Sequence, residues 1–157
     1  MNAPTLTHAE FAAKLVVEGC VPIVEGKTPG KMPIEGLPLD DATKAAVDAH
    51  PGSLAVFYPV GESGVFLQMH DANARVWYKG VNTDGALETL EKAIQLAYPQ
   101  ATFKSQVEHT MPGMSVRLYR VEFGGKRFAD IEASYPTTPD VPQQFVVRVH
   151  ARERLTQ

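Results

Sequence analysis

Apolar positions along the chain change period three times. Phe11, Ala12, Leu15 and Val16 recur at helical spacing behind Thr7-His8-Ala9-Glu10, a run with capping-box spacing. A helix is therefore expected from Thr7 to about Glu18, with Gly19 as its stop. A second, short helix is expected from Asp41 to Ala49, capped by Asp40 or Asp41 and ended before Pro51. From Ser53 the period falls to two, which is the signature of strands with one face buried. Leu54–Val60, Val65–His70 and Ala74–Lys79 read as an antiparallel meander with short turns. The strongest helical pattern then runs from Asp84 to Tyr98. Leu87, Leu90, Ile94, Ala97 and Tyr98 share one face, Thr83 or Asp84 is the expected cap, and Pro99 helps stop it. Strands resume at Thr102–His109, Ser115–Phe123, Lys126–Tyr135 and Gln144–Arg152. Pro112-Gly113 and Gly124-Gly125 mark two of the turns.

The expected architecture is one α+β domain spanning residues 1–157. Its antiparallel sheet, in element order α-α-βββ-α-ββββ, is packed on one main amphipathic helix. No βαβ alternation repeats, which argues against a parallel doubly wound sheet. Residues 21–39 interrupt the pattern with Pro22, Pro29, Pro33 and Pro38 among Gly26, Gly30 and Gly36. Proline removes amide donors, so this segment is expected to be a Pro/Gly-rich arm without a long helix or central strand. Val21, Ile23, Val24, Met32, Ile34 and Leu37 favour an arm that wraps the core over one that binds a partner.

The order α-βββ-α-ββ resembles that of small homodimeric secretion chaperones. The likeness is one of element order without a shared motif, and the two additional C-terminal strands depart from it.

Composition narrows the function classes. Apolar residues at 44% and charged residues at 21% are ordinary for a globular domain, which excludes disorder as the main state. Net charge is −3, acidic in the first 50 residues and slightly basic after residue 100, without the strong basic footprint of a dedicated nucleic-acid binder. A single cysteine, Cys20, excludes an internal disulfide. No apolar run reaches the ~20 residues of a membrane span and no leader pattern is present, so the cytoplasm is the expected compartment and no membrane partner is expected.

Sorting each strand into its two faces singles out one candidate binding face: His70, Arg75, Trp77, Lys79, Arg148 and His150. A tryptophan beside cations on a sheet can stack a base, a sugar or a peptide aromatic. The competing reading makes Trp77 core, covered by the N-terminal helix. A second cluster, Asp130 and Glu132 with Arg117, Arg148 and Arg152, reads more simply as cross-strand ion pairs than as an acid–base pair.

Catalytic motifs fail on inspection. Gly26-Lys27-Thr28 lacks the first glycine of a phosphate loop, since Val21 stands there. Gly61-Glu62-Ser63-Gly64 is one residue short of a nucleophile elbow. Cys20 follows the expected helix end, where the dipole disfavours a thiolate. His8, His50, His70, His109 and His150 show no metal-ligand spacing, although His70, His109 and His150 all fall near strand ends. No catalytic residue, metal or cofactor is therefore expected.

The leading expectation is a non-enzymatic binding or regulatory module acting through protein–protein contacts and self-association as a homodimer. The alternatives are a small-molecule binder or minor enzyme with a pocket between the sheet and helix 84–98, and, last, a weak single-stranded nucleic-acid binder through Trp77.

Overall fold

A computed structural model describes residues 6–26, 35–47, 49–61, 63–70, 73–108 and 112–153, with the side chains of 104–108 outside the description. Eight strands form one antiparallel sheet: β1 (Leu37–Pro38), β2 (Leu54–Val60), β3 (Ser63–His70), β4 (Asn73–Lys79), β5 (Thr102–Glu108), β6 (Met114–Gly124), β7 (Arg127–Pro136) and β8 (Gln144–Glu153). Their spatial order is β1-β2-β3-β4-β8-β7-β6-β5. The first meander and the second therefore meet through their last strands, with Val76 opposite Val147 and Trp77 opposite Val146.

The helices are α1 (His8–Leu15), α2 (Val21–Glu25), α3 (Asp41–Ala46) and α4 (Ala86–Ala97). The first starts as its sequence dictates: the Glu10 amide donates to Thr7 Oγ1 at 3.1 Å, and the Thr7 amide donates to Glu10 Oε1 at 3.0 Å. It does not stop at Gly19, however. A π turn over Val16–Cys20 joins α1 to α2, with the Val21 amide reaching back to the Val16 carbonyl. Widening the helix just before Pro22 accommodates a residue that has no amide to donate and would otherwise crowd the preceding turn. Gly26, at φ 92°, supplies the stop assigned above to Gly19. The first residues of the expected arm are thus helical and packed, with Val21 and Val24 buried. Residues 27–34 lie outside the described residues.

The core lies between one sheet face and a helical layer made of α1, the π turn, α2 and α4. Leu15, Val16, Cys20, Leu90 and Ile94 meet Val65, Leu67, Val76, Ile131 and Val147, all buried. The sheet thus carries two helical segments on this face where a single main helix was expected. They touch one another, and the Tyr98 hydroxyl donates to the Val17 carbonyl at 3.0 Å. The cap of α4 also differs from expectation. Gly85, at φ 76°, occupies the N-cap without a side-chain bond, because the Thr83 hydroxyl is spent on Gln143 Oε1 at 3.0 Å.

Residues 39–47 and Ala49 lie on the opposite face. Asp40 caps α3 through the Thr43 amide at 2.8 Å, as the sequence predicts. Leu39, Val47 and Ala49, flanking that helix, close over Ala55, Phe66, Trp77 and Val146 as a second, smaller core.

Burial separates two neighbours on α4. Ile94→Ala is expected to destabilise by about 2–5 kcal/mol in chemical denaturation, the range for emptying a packed aliphatic site. Leu96→Ala, 76% exposed, is expected to change stability by less than about 0.5 kcal/mol.

Candidate functional site

Strand alternation fixes which side chains share the face away from the helical layer. On β4, Ala74, Val76 and Tyr78 enter the main core, so Arg75 and Trp77 point the other way. Strand register then places β3 and β8 beside them in rows. Phe66, Trp77 and Val146 form one row; Gln68, Arg75 and Arg148 form the next; His70, Asn73 and His150 form the third. All six residues of the expected binding face therefore lie on one side of the sheet. They do not form one cluster.

Trp77 is 3% exposed and is covered from a different direction than expected. The N-terminal helix sits on the far face of the sheet. The lid over Trp77 is Val47 and Ala49 together with the strand neighbour Phe66, whose ring is stacked at 5.4 Å, and the Arg75 guanidinium, 4.0 Å above the indole. An arginine over a tryptophan face is favourable by about 0.5–2 kcal/mol, more as water is excluded.

Two adjoining clefts open around this packing, with Val47, Trp77 and Lys79 in both walls. One has a volume of about 280 Å3 and is mostly aromatic and aliphatic, lined also by Ala46, Phe57 and Phe66. The Phe57 ring packs directly over Gly64, where a Cβ would collide with it. The other, of about 200 Å3, is bordered by Arg75, Arg148, Ser134, Gln144, Val146 and Met114. Arg75 and Arg148 stand directly opposite on paired strands, a like-charge arrangement that is unfavourable in itself. Periodicity located Arg75, Trp77, Lys79 and Arg148. It missed Val47, Phe66, Ser134 and Gln144, which join the clefts only through strand order and the placement of residues 39–47.

His70 and His150 belong to separate arrangements. The His50 ring stacks on His70 with centroids 4.0 Å apart, and the His50 amide donates to Gln68 Oε1 at 2.7 Å, fastening the segment after α3 to β3. His150 Nδ1 lies 2.8 Å from Asn73 Oδ1, and its Nε2 is 3.4 Å from Glu132. His109 lies outside the described residues. Among those described, no group of three or more His, Cys, Asp or Glu side chains is placed to hold a metal ion.

The acidic cluster resolves into ion pairs. Asp130, 5% exposed, takes Arg120 at 2.8 Å and Arg152 at 3.0 Å. Arg117, expected in this group, is on the other face, where it meets Glu91 of α4 at 3.2 Å. Arg120, three residues further along β6 and directly opposite Asp130, takes the role expected of Arg117. Both oxygens of Asp130 are committed to holding β6, β7 and β8 in register.

Potential nucleophiles are equally committed. Cys20 is fully buried, and burial pushes its thiol up to about 12, far from a usable thiolate. Ser63 Oγ lies 2.7 Å from His8 Nε2, which superficially resembles an activated pair. Ser63 shares the strand face of Val65, however, so its hydroxyl turns toward the helical layer, where it meets His8 of α1. Burial holds His8 below the ordinary imidazole value.

The interface between α4 and the sheet is filled by Ala86, Leu90 and Ile94. An open cleft of about 950 Å3 lies beyond the helix start, between the β4–α4 and β7–β8 loops. Gln143 accepts from Thr83 and donates from Nε2 to the Val141 carbonyl at 3.1 Å, and Asp84 and Glu88 also line the cleft.

Trp77 is the chain's one tryptophan, so its fluorescence reports this site alone. A blue-shifted emission with little quenching by iodide is expected from the folded protein. Emission resembling free indole in water would contradict the closed packing. No protein-family model, no curated protein and no solved structure matches this chain.

Proposed function

We propose that this chain is a non-enzymatic binding domain that receives a small organic molecule in the paired clefts beside Trp77. The observation that supports the reading is the junction of an aromatic slot with a polar cleft around one shared wall, on the sheet face without the long helices. Ligand sites combine a mostly apolar lining with a few polar groups that fix orientation, and this junction has both. The commitment of Asp130, Cys20 and Ser63 to structural contacts supports binding over catalysis.

The test uses the uncharged dye N-phenyl-1-naphthylamine, whose absorption overlaps tryptophan emission. One dye per chain is expected, with saturable energy transfer from Trp77. Val47 borders both clefts, so Val47→Phe is expected to weaken binding at least tenfold while leaving the circular dichroism spectrum unchanged. Transfer that never saturates, or unchanged affinity in that variant, would remove this reading.

A second reading, self-association, is favoured by the sheet's edge. Among the described residues β5 pairs with β6 alone, and Phe103 on it is 49% exposed with the Arg117 guanidinium 4.4 Å from its ring. Edge strands offer unpaired backbone groups to a second strand. Light scattering across a concentration series is expected to give a dimer mass that Phe103→Lys returns to a monomer. A monomer mass for the unaltered chain throughout would eliminate it.

A further inference from the structure

We infer that α3 and its flanks form a hinged flap over Trp77, and that a ligand reaches the paired clefts when this flap lifts. The inference rests on the ligand-binding reading above and adds the means of entry.

The floor of the site is fixed by the sheet. Trp77 lies on a central strand, paired with Phe66 of β3 on one side and Val146 of β8 on the other. Its backbone is held in two ladders, so it gives way only with the strands around it. Trp77 walls both clefts and yet is only 3% exposed. A molecule in either closed cleft therefore meets little more than the rim of the indole. To lie against the ring it must displace part of the cover.

That cover is held far less firmly. α3 has six residues, and isolated helices shorter than about 12–15 residues are marginal in water, so it depends on contacts outside itself. None of its own residues is buried. Packing comes from its flanks, Leu39, Val47 and Ala49, of which only Ala49 is buried. Asp41 and Lys44 pair at 3.7 Å, but Asp41 is 94% exposed, and such surface pairs contribute little. The Asp40 cap on the Thr43 amide, at 2.8 Å, is what favours the wound helix.

The segment is fastened at both ends. Its Leu39 amide donates to the Ala55 carbonyl at 2.9 Å, on β2. At the other end the His50 amide donates to Gln68 Oε1 at 2.7 Å, and the His50 carbonyl accepts from the Ser53 amide at 3.0 Å and hydroxyl at 2.6 Å. Between these fastenings, Ala46 and Val47 supply one wall of the apolar cleft, while Phe66 and Trp77 supply the wall fixed in the sheet. A short helix secured at two points, with little buried surface between them, opens locally more often than the strands beneath it. Lifting it bares Ala55, Phe66, Trp77 and Val146, an apolar floor suited to a flat ring system.

Hydrogen exchange on the unaltered chain tests the flap without a ligand. The Lys44, Val47 and Ala49 amides are expected to exchange roughly a hundredfold faster than the Val76 amide, with little dependence on urea. Equal rates with the same urea dependence would overturn the flap, because its amides would then open only with the whole sheet. Thiol labelling tests access to the floor. Ala55→Cys places a thiol beneath the flap, and Cys20, fully buried in the main core, reports global unfolding. The introduced thiol is expected to react with iodoacetamide while Cys20 does not. Adding Asp40→Ala, which removes the cap, or Ala45→Gly, at an exposed helix position, is expected to speed that reaction about fivefold. Labelling of both thiols together, or a rate indifferent to both helix variants, would overturn the proposal. At a concentration of N-phenyl-1-naphthylamine about tenfold above half-saturation, labelling is expected to slow about tenfold. Dye that binds saturably without slowing it would overturn the flap as the way in. Absence of saturable binding would instead remove the ligand-binding reading, and the exchange and labelling rates of the free chain tell the two failures apart.

Discussion

The whole arrangement depends on one strand pairing, β4 against β8. These strands are separated in sequence by a helix and three other strands, yet each residue from Asn73 to Lys79 has a partner between Gln144 and His150. The pairing joins two meanders into a single sheet and makes a continuous apolar surface long enough to seat both α4 and the α1–α2 helix. It also brings Arg75 and Arg148 face to face and closes Val146 onto Trp77. Core and site follow from the same contact.

Much of the local structure was legible because the sheet has two unlike faces. Alternation in Leu54–Val60 and in the later strands marks their positions to within about two residues, since a one-residue slip would turn every apolar side chain to the wrong side. The Thr7 and Asp40 caps were equally readable, being local hydrogen bonds between residues three apart. What sequence did not carry was anything decided by tertiary packing. Gly19 looks like a helix stop, but it is buried inside a π turn that lets the chain continue past Pro22. Thr83 looks like a cap, but a better-placed partner on the β7–β8 loop takes its hydroxyl. Strand order is invisible to periodicity, so which segment faces Arg75 could not be read from spacing.

The candidate site shows the same division. Its cations and its tryptophan stand out because charged and aromatic residues alternate with apolar ones on β4 and β8. Their grouping into an aromatic slot and a polar cleft depends on Leu39, Val47 and Ala49, held in place by Asp40 capping, by the Leu39 amide bonding the Ala55 carbonyl at 2.9 Å, and by His50 resting on His70. That cover arrives from the face opposite the N-terminal helix, a side that hydrophobic patterning alone does not distinguish. The acidic cluster divides for a similar reason: Arg117 and Arg120 are three residues apart on one strand and so project to opposite faces.

The most direct test of the account is the contact between backbone protons of β4 and β8, measured by nuclear Overhauser effects in labelled protein. Cross-strand contacts from Ala74 to Val149 and from Val76 to Val147, with slow amide exchange along β4, are the result predicted. Contacts from β4 to β5, or exchange along β4 as fast as at a free sheet edge, would contradict the topology and dissolve the site built upon it.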